Sequence, residues 1–529
     1  MNKIIAFIVL SFLFLPSTLL PQASAQDPGT RLPTPLISKA NKDTRVFYSV
    51  FVQSFYDSNN DGIGDIQGLI SKLDYLKDLG IGGLWLLPVH PSPTYHKYDV
   101  EDYYEIHKDY GTLKDYKELV KKAHELDILV ILDLVANHTS NRHPWFEKAI
   151  QGNKKYRDYY VWSDKSADFE NEPYKWHQVR NAKGEKLDGE RYYGFFWWEM
   201  PDLNYDNPRV REEIIKIGQF WLGEIGVDGF RLDAVPNFYP EDQLDKNLVW
   251  WQEFREGMDK VNPNAFIVGE IWGGSEKTSP YLKAGISAGF NFELADTIRK
   301  SVQSNNDLGI VETVKKTYDQ YSASNPDFED ATLLTNHDME RIMTEFKRDV
   351  NRAKISAALM LTLPGNPFIY YGEEIGMLGE KPDEFIREPF IWNIEGEDPG
   401  QTYWEIPYAS SSRTVKPLFY QKDNRLSLFN HYKSLINLRN QNPALFKGNL
   451  NKLDTSNPKV VGFYRYTDEQ EAIVIINLSS EMEHIPTPSG LNGFELAFSN
   501  FNVFKVSDKV ISLQPYGIFI LTHKLEPTY

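Results

Sequence analysis

Residues 128–138 read Ile-Leu-Val-Ile-Leu-Asp-Leu-Val-Ala-Asn-His. From Ile128 to Val135 every residue but Asp133 is apolar. A short run that is apolar at consecutive positions is a strand buried on both faces, as in a parallel sheet covered by helices. Polar residues do not alternate through it. Asp133, Asn137 and His138 gather where it closes. The stretch therefore predicts a parallel strand that delivers polar groups at its C-terminal end, where barrel enzymes keep their sites.

The same unit repeats outward. Val46–Val52 and Ile81–Val89 are strand-like. Between them Ile66, Leu69, Ile70, Leu73, Leu76 and Leu79 recur at helical spacing, and Gly80 stops the helix. A second helix over Leu113–Asp127 turns Leu119, Val120 and Ala123 inward. Residues 139–205 are rich in Trp, Tyr, Asn, Lys and Gly, have no clear period, and read as an inserted domain B. The alternation resumes with a helix over 208–225, then strands at Val227–Leu232, Ala265–Ile271, Gly289–Leu294, Ala331–Thr335 and Pro367–Tyr371. With the first three these make eight strands, which predicts an α/β fold: a closed (β/α)8 barrel built from residues 44–138 and 206–443. Val460–Tyr466, Ala472–Leu478 and Ile518–Thr522 are β-rich runs between turn residues, so 444–529 reads as a C-terminal antiparallel β domain.

The N-terminus differs from all of this. Lys3 precedes an apolar run, Ile4–Leu15, interrupted only by Ser11, and Ala23-Ser24-Ala25 gives a cleavage site before Gln26. Residues 1–25 read as a secretory signal peptide and 26–43 as a leader. The run is too short to span a bilayer comfortably, so the expected product is secreted or periplasmic with no membrane attachment after cleavage. The chain has no cysteine, which excludes disulfides, thiolate metal sites and a lipidated N-terminal cysteine. Its formal charge of −17 becomes −18 once Lys3 is removed with the signal segment, and an acidic surface argues against nucleic acid as a partner. A monomer is expected.

Polar residues cluster at the ends of several predicted strands. Arg231 and Asp233 close the fourth, Glu270 the fifth, and Asn336, His337 and Asp338 the seventh. Glycoside hydrolysis needs two carboxyl groups, ~5–5.5 Å apart in the retaining mechanism, one acting as nucleophile and one as acid/base. Arg231, two residues before Asp233, points to the same side and would keep that carboxylate ionised and oriented. Glu270 follows the apolar Phe266-Ile267-Val268-Gly269, where desolvation would keep it protonated as the acid.

These residues carry a resemblance. Asp133-Leu134-Val135-Ala136-Asn137-His138, Gly229-Phe230-Arg231-Leu232-Asp233-Ala234, Gly269-Glu270-Ile271-Trp272 and Thr335-Asn336-His337-Asp338 resemble the four ordered motifs of the α-amylase family of glycoside hydrolases. Met200-Pro201-Asp202-Leu203-Asn204 is similar to that family's further motif near the end of domain B, in the branch between oligosaccharide-cleaving α-glucosidases and neopullulanases. The resemblance implies Asp233 as nucleophile, Glu270 as acid/base and Asp338 as transition-state stabiliser. It also implies that Arg231, His138 and His337 hold the sugar in the cleaved subsite. Tyr95-His96-Lys97-Tyr98 is similar to the family's loop after strand two, which adds His96 and a stacking Tyr98 to the substrate contacts. One departure stands out: many α-amylases carry Lys-His three and four residues after the nucleophile, where this chain has Pro236-Asn237.

The loop Asp57-Ser58-Asn59-Asn60-Asp61-Gly62-Ile63-Gly64-Asp65 sets oxygen side chains at its first, third, fifth and ninth positions, a backbone carbonyl at the seventh and glycine at the sixth. That spacing suits Ca2+, with Asp57, Asn59, Asp61, the Ile63 carbonyl and Asp65 as ligands. The expected activity is that of an α-amylase on starch, glycogen or malto-oligosaccharides. An α-glucosidase or a sugar isomerase of the trehalose synthase type stays open, because Asp233-Ala234-Val235-Pro236 resembles that branch. A non-catalytic carbohydrate-binding protein on the same fold is disfavoured by the joint presence of Asp233, Glu270 and Asp338.

Overall fold

A computed structural model describes residues 44–180, 185–501, 505–507 and 509–526. The signal segment 1–25 and the leader 26–43 lie outside the described residues. Eight strands close a parallel barrel in sequence order: β1 (Phe47–Val50), β2 (Gly83–Leu86), β3 (Leu129–Leu134), β4 (Gly229–Leu232), β5 (Phe266–Gly269), β6 (Ala288–Phe290), β7 (Glu329–Leu333) and β8 (Asn366–Tyr370). Each pairs in parallel with the next, and β8 returns to β1 through Phe47↔Phe368 and Tyr48↔Ile369. Inside the barrel, Phe47 stacks on Phe368 with ring centroids 4.6 Å apart and on Phe266 at 5.3 Å, and Trp85 tilts against Phe290 at 5.3 Å. This aromatic floor fills the barrel beneath the polar residues at its mouth.

The first six strands are shorter than the apolar runs that announced them, because flanking apolar residues pack in connections, while the seventh and eighth keep their expected length and start two and one residues earlier. The sixth run is the clearest correction. Asn291 accepts a hydrogen bond from the Leu294 backbone and caps a helix over Phe292–Ser304, so the strand stops at Phe290. The periodic run after β1 is two helices, Ile66–Ser71 and Leu73–Leu79, broken at Lys72, and Gly80 ends the second in the left-handed region at φ 97°. The helix read over 208–225 is α-helical to Phe220 and widens into a π turn over Trp221–Ile225.

Between β3 and β4 lies a three-stranded antiparallel sheet of Trp162–Ser163, Lys186–Tyr193 and Trp176–Arg180, with Lys186–Tyr193 central. The bridge His138↔Asp202 ties the end of this insertion to the residues just after β3, and Tyr160↔Leu203 joins two parts of the insertion itself. The C-terminal residues form a five-stranded and a three-stranded antiparallel sheet. The fully buried Arg465 of the C-terminal sheet fastens it to the barrel by donating to the Thr362 carbonyl, and it donates to that of Gly448 as well. Arg439, fully buried in the barrel helix Leu428–Gln441, donates to the carbonyls of Leu361, Leu363 and Gly365. Leu361, Thr362 and Leu363 stand at the end of the helix Val350–Thr362, whose last carbonyls lack intrahelical partners and attract cations. No helix of the described residues is long and apolar enough to cross a membrane.

Just after β8, two adjacent buried carboxyls face tyrosines. Tyr48 and Tyr75 donate to Glu374 Oε1 at 2.7 and 2.6 Å, and Tyr432 donates to Glu373 Oε1 at 2.8 Å. Burial pushes the Glu373 carboxyl up to about 8 from an ordinary 4.5, against the Tyr432 hydrogen bond. Across that interval the folded chain holds a proton that the unfolded chain has lost. The resulting stability is complete below about 4.5 and is lost as pH rises through about 8. Glu373→Gln keeps an acceptor for Tyr432 and cannot ionise, so its Tm should fall less than the wild type's between pH 5 and pH 9 (roughly the span of the shift) when thermal unfolding is followed across pH.

Candidate active site

Several strands deliver polar side chains to one point. Asp133 lies on β3, Arg231 on β4 with Asp233 directly after it, Glu270 directly after β5, and His337 and Asp338 in the turn after β7. Arg231 and Asp233 are two residues apart in extended chain, which turns both inward. The Arg231 guanidinium is fully buried and reaches three carboxyls: Nη1 lies 2.8 Å from Asp133 Oδ1 and 2.8 Å from Asp233 Oδ1, and Nη2 2.7 Å from Glu270 Oε2. Trp85 Nε1 donates to Asp133 Oδ2 at 3.1 Å and fixes the side of the cluster furthest from solvent. Ala234, next after Asp233, takes the left-handed region at φ 47°, which costs a residue with a Cβ about 1–2 kcal/mol. That turn aims its backbone N–H at Glu270 Oε2, 3.2 Å away.

The carboxyls differ in acidity. Burial pushes Glu270 up to about 7, with Arg231 pulling the other way and Asp233 and Asp338 adding to the rise. Burial also raises Asp233, to about 6, although Arg231 opposes it. Arg231 was expected to keep Asp233 ionised and oriented; shared among three carboxyls, its guanidinium offsets only part of the desolvation. Asp338 goes the other way. Burial acts to raise it, but positive charge at His337, Arg387 and Arg231 holds it below the usual range. Burial pushes His337 itself down to about 3, so near neutrality the guanidiniums supply that charge. Arg387 Nη2 stands 2.8 Å from Asp338 Oδ1.

Tyr98 lies parallel to His337, with ring centroids 5.6 Å apart, and its Oη is 2.6 Å from His337 Nε2 and 3.1 Å from Asp133 Oδ2. His96 Nδ1 accepts the Tyr98 backbone N–H at 3.1 Å, and His138 Nε2 lies 3.0 Å from the Tyr98 carbonyl. Burial pushes His96 down to about 3 and His138 to about 4, so both are neutral imidazoles that can exchange hydrogen bonds with hydroxyl groups. A cavity of about 1160 Å³ opens over this cluster, and Asp233, Glu270, Asp338, Tyr98, His96 and His138 line it. Arg231 and His337, also expected to touch substrate, stand behind its wall and act on the residues that line it. Domain B contributes Phe196, Trp197 and Met200 to its lining, with the Phe196 ring centroid 5.4 Å from that of His138.

Two lining residues carried no role from sequence. Arg387 donates Nε to the His337 carbonyl at 3.0 Å besides pairing with Asp338. It follows β8 by many residues, in a stretch with no periodicity to mark it. Trp272 donates Nε1–H to Glu270 Oε1 at 3.1 Å, and its adjacency to Glu270 was the available signal.

The Asp57–Asp65 loop follows β1. Asp57 accepts the backbone N–H groups of Asn59, Asn60 and Gly62, and Asp65 accepts those of Ser58 and Gly68 while capping the helix Ile66–Ser71. Asp61 Oδ1 accepts from Ile63, and Asn59 Oδ1 from Asp61. The donors are all hard oxygens, which fits Ca2+. Among the described residues, however, no three His, Cys, Asp or Glu side chains gather as a group able to hold a metal. A cation here would rest on Asn59 and the Ile63 carbonyl as much as on the carboxylates.

A closed parallel barrel whose open end joins three carboxyls through one guanidinium beneath a wide aromatic and imidazole-lined cavity defines a (β/α)8-barrel enzyme working with carboxyl groups. Residues 49–448 match the family model described as Alpha amylase, catalytic domain. The chain is 45% identical over 435 residues to Alpha-amylase 3 of Dictyoglomus thermophilum, covering 82% of this chain and 84% of that one. It is 35% identical over 440 residues to a 4-alpha-glucanotransferase of Thermotoga neapolitana, covering 82% and 95%. Among solved structures, the alpha-amylase from H. orenii superposes with a TM-score of 0.82 at 41% identity, covering 91% of this chain and 100% of that one. The chain belongs to the alpha-amylase family.

Asp233→Asn, Glu270→Gln and Asp338→Asn should each lower kcat/KM by on the order of 10³-fold or more with the circular dichroism spectrum unchanged. Steady-state rates of the purified variants check this, and near-normal turnover in any one removes that residue from the assignment.

Proposed function

We propose that the protein is a retaining α-amylase that hydrolyses α-1,4-glucosidic bonds in starch, glycogen or malto-oligosaccharides. The observation that carries the reading is the pair Asp233 and Glu270, held by one guanidinium and separated in acidity, with Glu270 the more readily protonated. Glu270 then donates its proton to the leaving glycosidic oxygen as Asp233 forms a bond to the anomeric carbon. In the second half, the Glu270 carboxylate takes a proton from water, whose oxygen displaces Asp233. Asp338, held ionised by Arg387, stabilises positive charge developing on the sugar ring. The likeness to Alpha-amylase 3 and to the H. orenii enzyme supports amylase over isomerase activity. So does a cavity of about 1160 Å³, larger than the ~300–1,000 Å³ of sites for small single ligands. The test is a product time course on starch, pullulan and maltose with NMR of the first product. Internal cleavage of starch with initial α-anomer supports the reading, initial β-anomer contradicts retention, and action on maltose without starch contradicts the substrate.

We also propose that a structural Ca2+ occupies the Asp57–Asp65 loop and that the chain is exported with cleavage after Ala25. The cation would neutralise Asp57, Asp61 and Asp65, which otherwise crowd one turn, and would stabilise the native state by mass action. Protein recovered from outside the cytoplasm tests both. Its first residue should be Gln26, and chelation should lower its Tm, with added calcium restoring it.

A further inference from the structure

Lys97 stands between His96 and Tyr98, which both line the cavity, yet it lies outside that lining and is only 3% exposed. Its backbone takes the left-handed region at φ 63°, which a residue with a Cβ enters at a cost and glycine would enter freely. What lysine adds at this position is therefore its side chain. The ammonium lies over the ring of buried Tyr110, with Nζ 4.8 Å from the centroid. Two carboxyls draw on its charge, Asp99 from the same loop and Asp109 from the residue before Tyr110.

Asp99 closes the loop. Its Oδ1 accepts the Ser92 hydroxyl at 2.6 Å and also that of Thr94, whose oxygen stands 3.2 Å from His96 Nδ1. Oδ2 is buried with no hydrogen-bond partner among the described residues, so the Lys97 charge is what offsets its burial. The other titratable groups facing Lys97 leave it that task. Burial pushes His107, with Nδ1 3.5 Å from Asp109, down to about 4 and His96 down to about 3, so both are neutral near pH 7. Lys108 is exposed, and burial raises the Tyr110 phenol well above its ordinary value. Burial pulls Lys97 itself down to about 8, against Asp109 and Asp99, so its charge is present at neutrality and leaves as pH rises past that value.

We propose that Lys97 is a positioning residue for the substrate: its buried ammonium holds the loop 92–99 in the shape that presents His96 and Tyr98 to the sugar, so that affinity for α-glucan depends on its charge. The proposal rests on the function reading above. His96 and Tyr98 meet the sugar before and during bond cleavage alike, so a loosened loop raises KM and leaves kcat nearly unchanged.

Lys97→Met keeps the stem and removes the charge, and Lys97→Arg keeps a charge that no working pH removes. Maltoheptaose binding is measured by calorimetry in a Glu270→Gln background, which lacks the acid, at about pH 7 and about pH 9.5, on either side of the Lys97 value. Asp202, which lines the cavity and is pushed up to about 8, titrates in the same interval but is common to all the proteins, so they are compared with one another at each pH. At the lower pH the Met protein should bind at least about fivefold more weakly than the Lys protein, the result of a competent loop reduced to roughly a fifth of the population. At the higher pH those two should converge, and the Arg protein should lose less affinity between the two than the Lys protein does. With Glu270 restored, kcat of Lys97→Met at the lower pH should stay within about threefold of wild type while KM rises. Equal Met and Lys affinities at the lower pH, a Met-to-Lys ratio that is the same at both, or a fall in kcat with KM unmoved overturns the proposal. So does an Arg protein that weakens in step with the Lys protein, a comparison that holds even if the Met variant does not fold. Glu270→Gln protein that binds no α-glucan at either pH, from a wild type inert toward starch and malto-oligosaccharides, overturns the function reading as well.

Discussion

One buried guanidinium organises this site. Arg231 has a single positive charge and lies within 2.8 Å of Asp133, Asp233 and Glu270. Three carboxylates around one cation cannot all be ionised out of water, so the cluster keeps a proton. The proton goes where burial is least compensated. Asp133 receives Arg231, Trp85 and Tyr98, whereas Glu270 also feels the negative charge of Asp233 and Asp338. Glu270 thus retains the acid at a pH where Asp233 has begun to lose it. Two chemically similar groups around the same cation thereby differ in acidity.

The fold exists, in this sense, to hold that cation dry. The stacked Phe47, Phe266 and Phe368 seal the barrel below it, and neighbouring strands supply its partners at fixed register, Asp133 opposite Arg231. Around this rigid centre the variable work is done by loops. The β2 loop brings Tyr98 and His96, domain B brings Phe196 and Trp197, and the long connection after β8 brings Arg387 to Asp338. Arg387 balances Arg231: one guanidinium holds the carboxyls to which the proposed mechanism gives the exchange of protons and bonds, and the other holds Asp338 below the usual carboxylate range.

What was legible in the sequence follows the same division. Barrel strands announce themselves because burial on both faces demands continuous apolar runs, so Ile128–Val135 and its counterparts located all eight strands and the residues at their ends. Their limits were less legible, because residues such as Leu294 are apolar for helix packing and read like strand. Asp233, Glu270 and Asp338 were visible because polar groups at the end of an apolar run are conspicuous. Arg387 was not, since nothing in a long aperiodic connection distinguishes an arginine that turns inward. The acidities were only partly readable: sequence shows that Arg231 is near Asp233, but not that the guanidinium is shared three ways.

The central claim is that this shared cation leaves Asp233 as the nucleophile and Glu270 as the acid. It is tested most directly by trapping the covalent intermediate. A 5-fluoro-α-glucosyl fluoride, which forms the glycosyl ester faster than the ester hydrolyses, is incubated with the enzyme, and the digest is sequenced by mass spectrometry. The account predicts a single glycosyl ester on Asp233. Label on Glu270, Asp133 or Asp338, or steady turnover of the reagent with no ester formed, would contradict it.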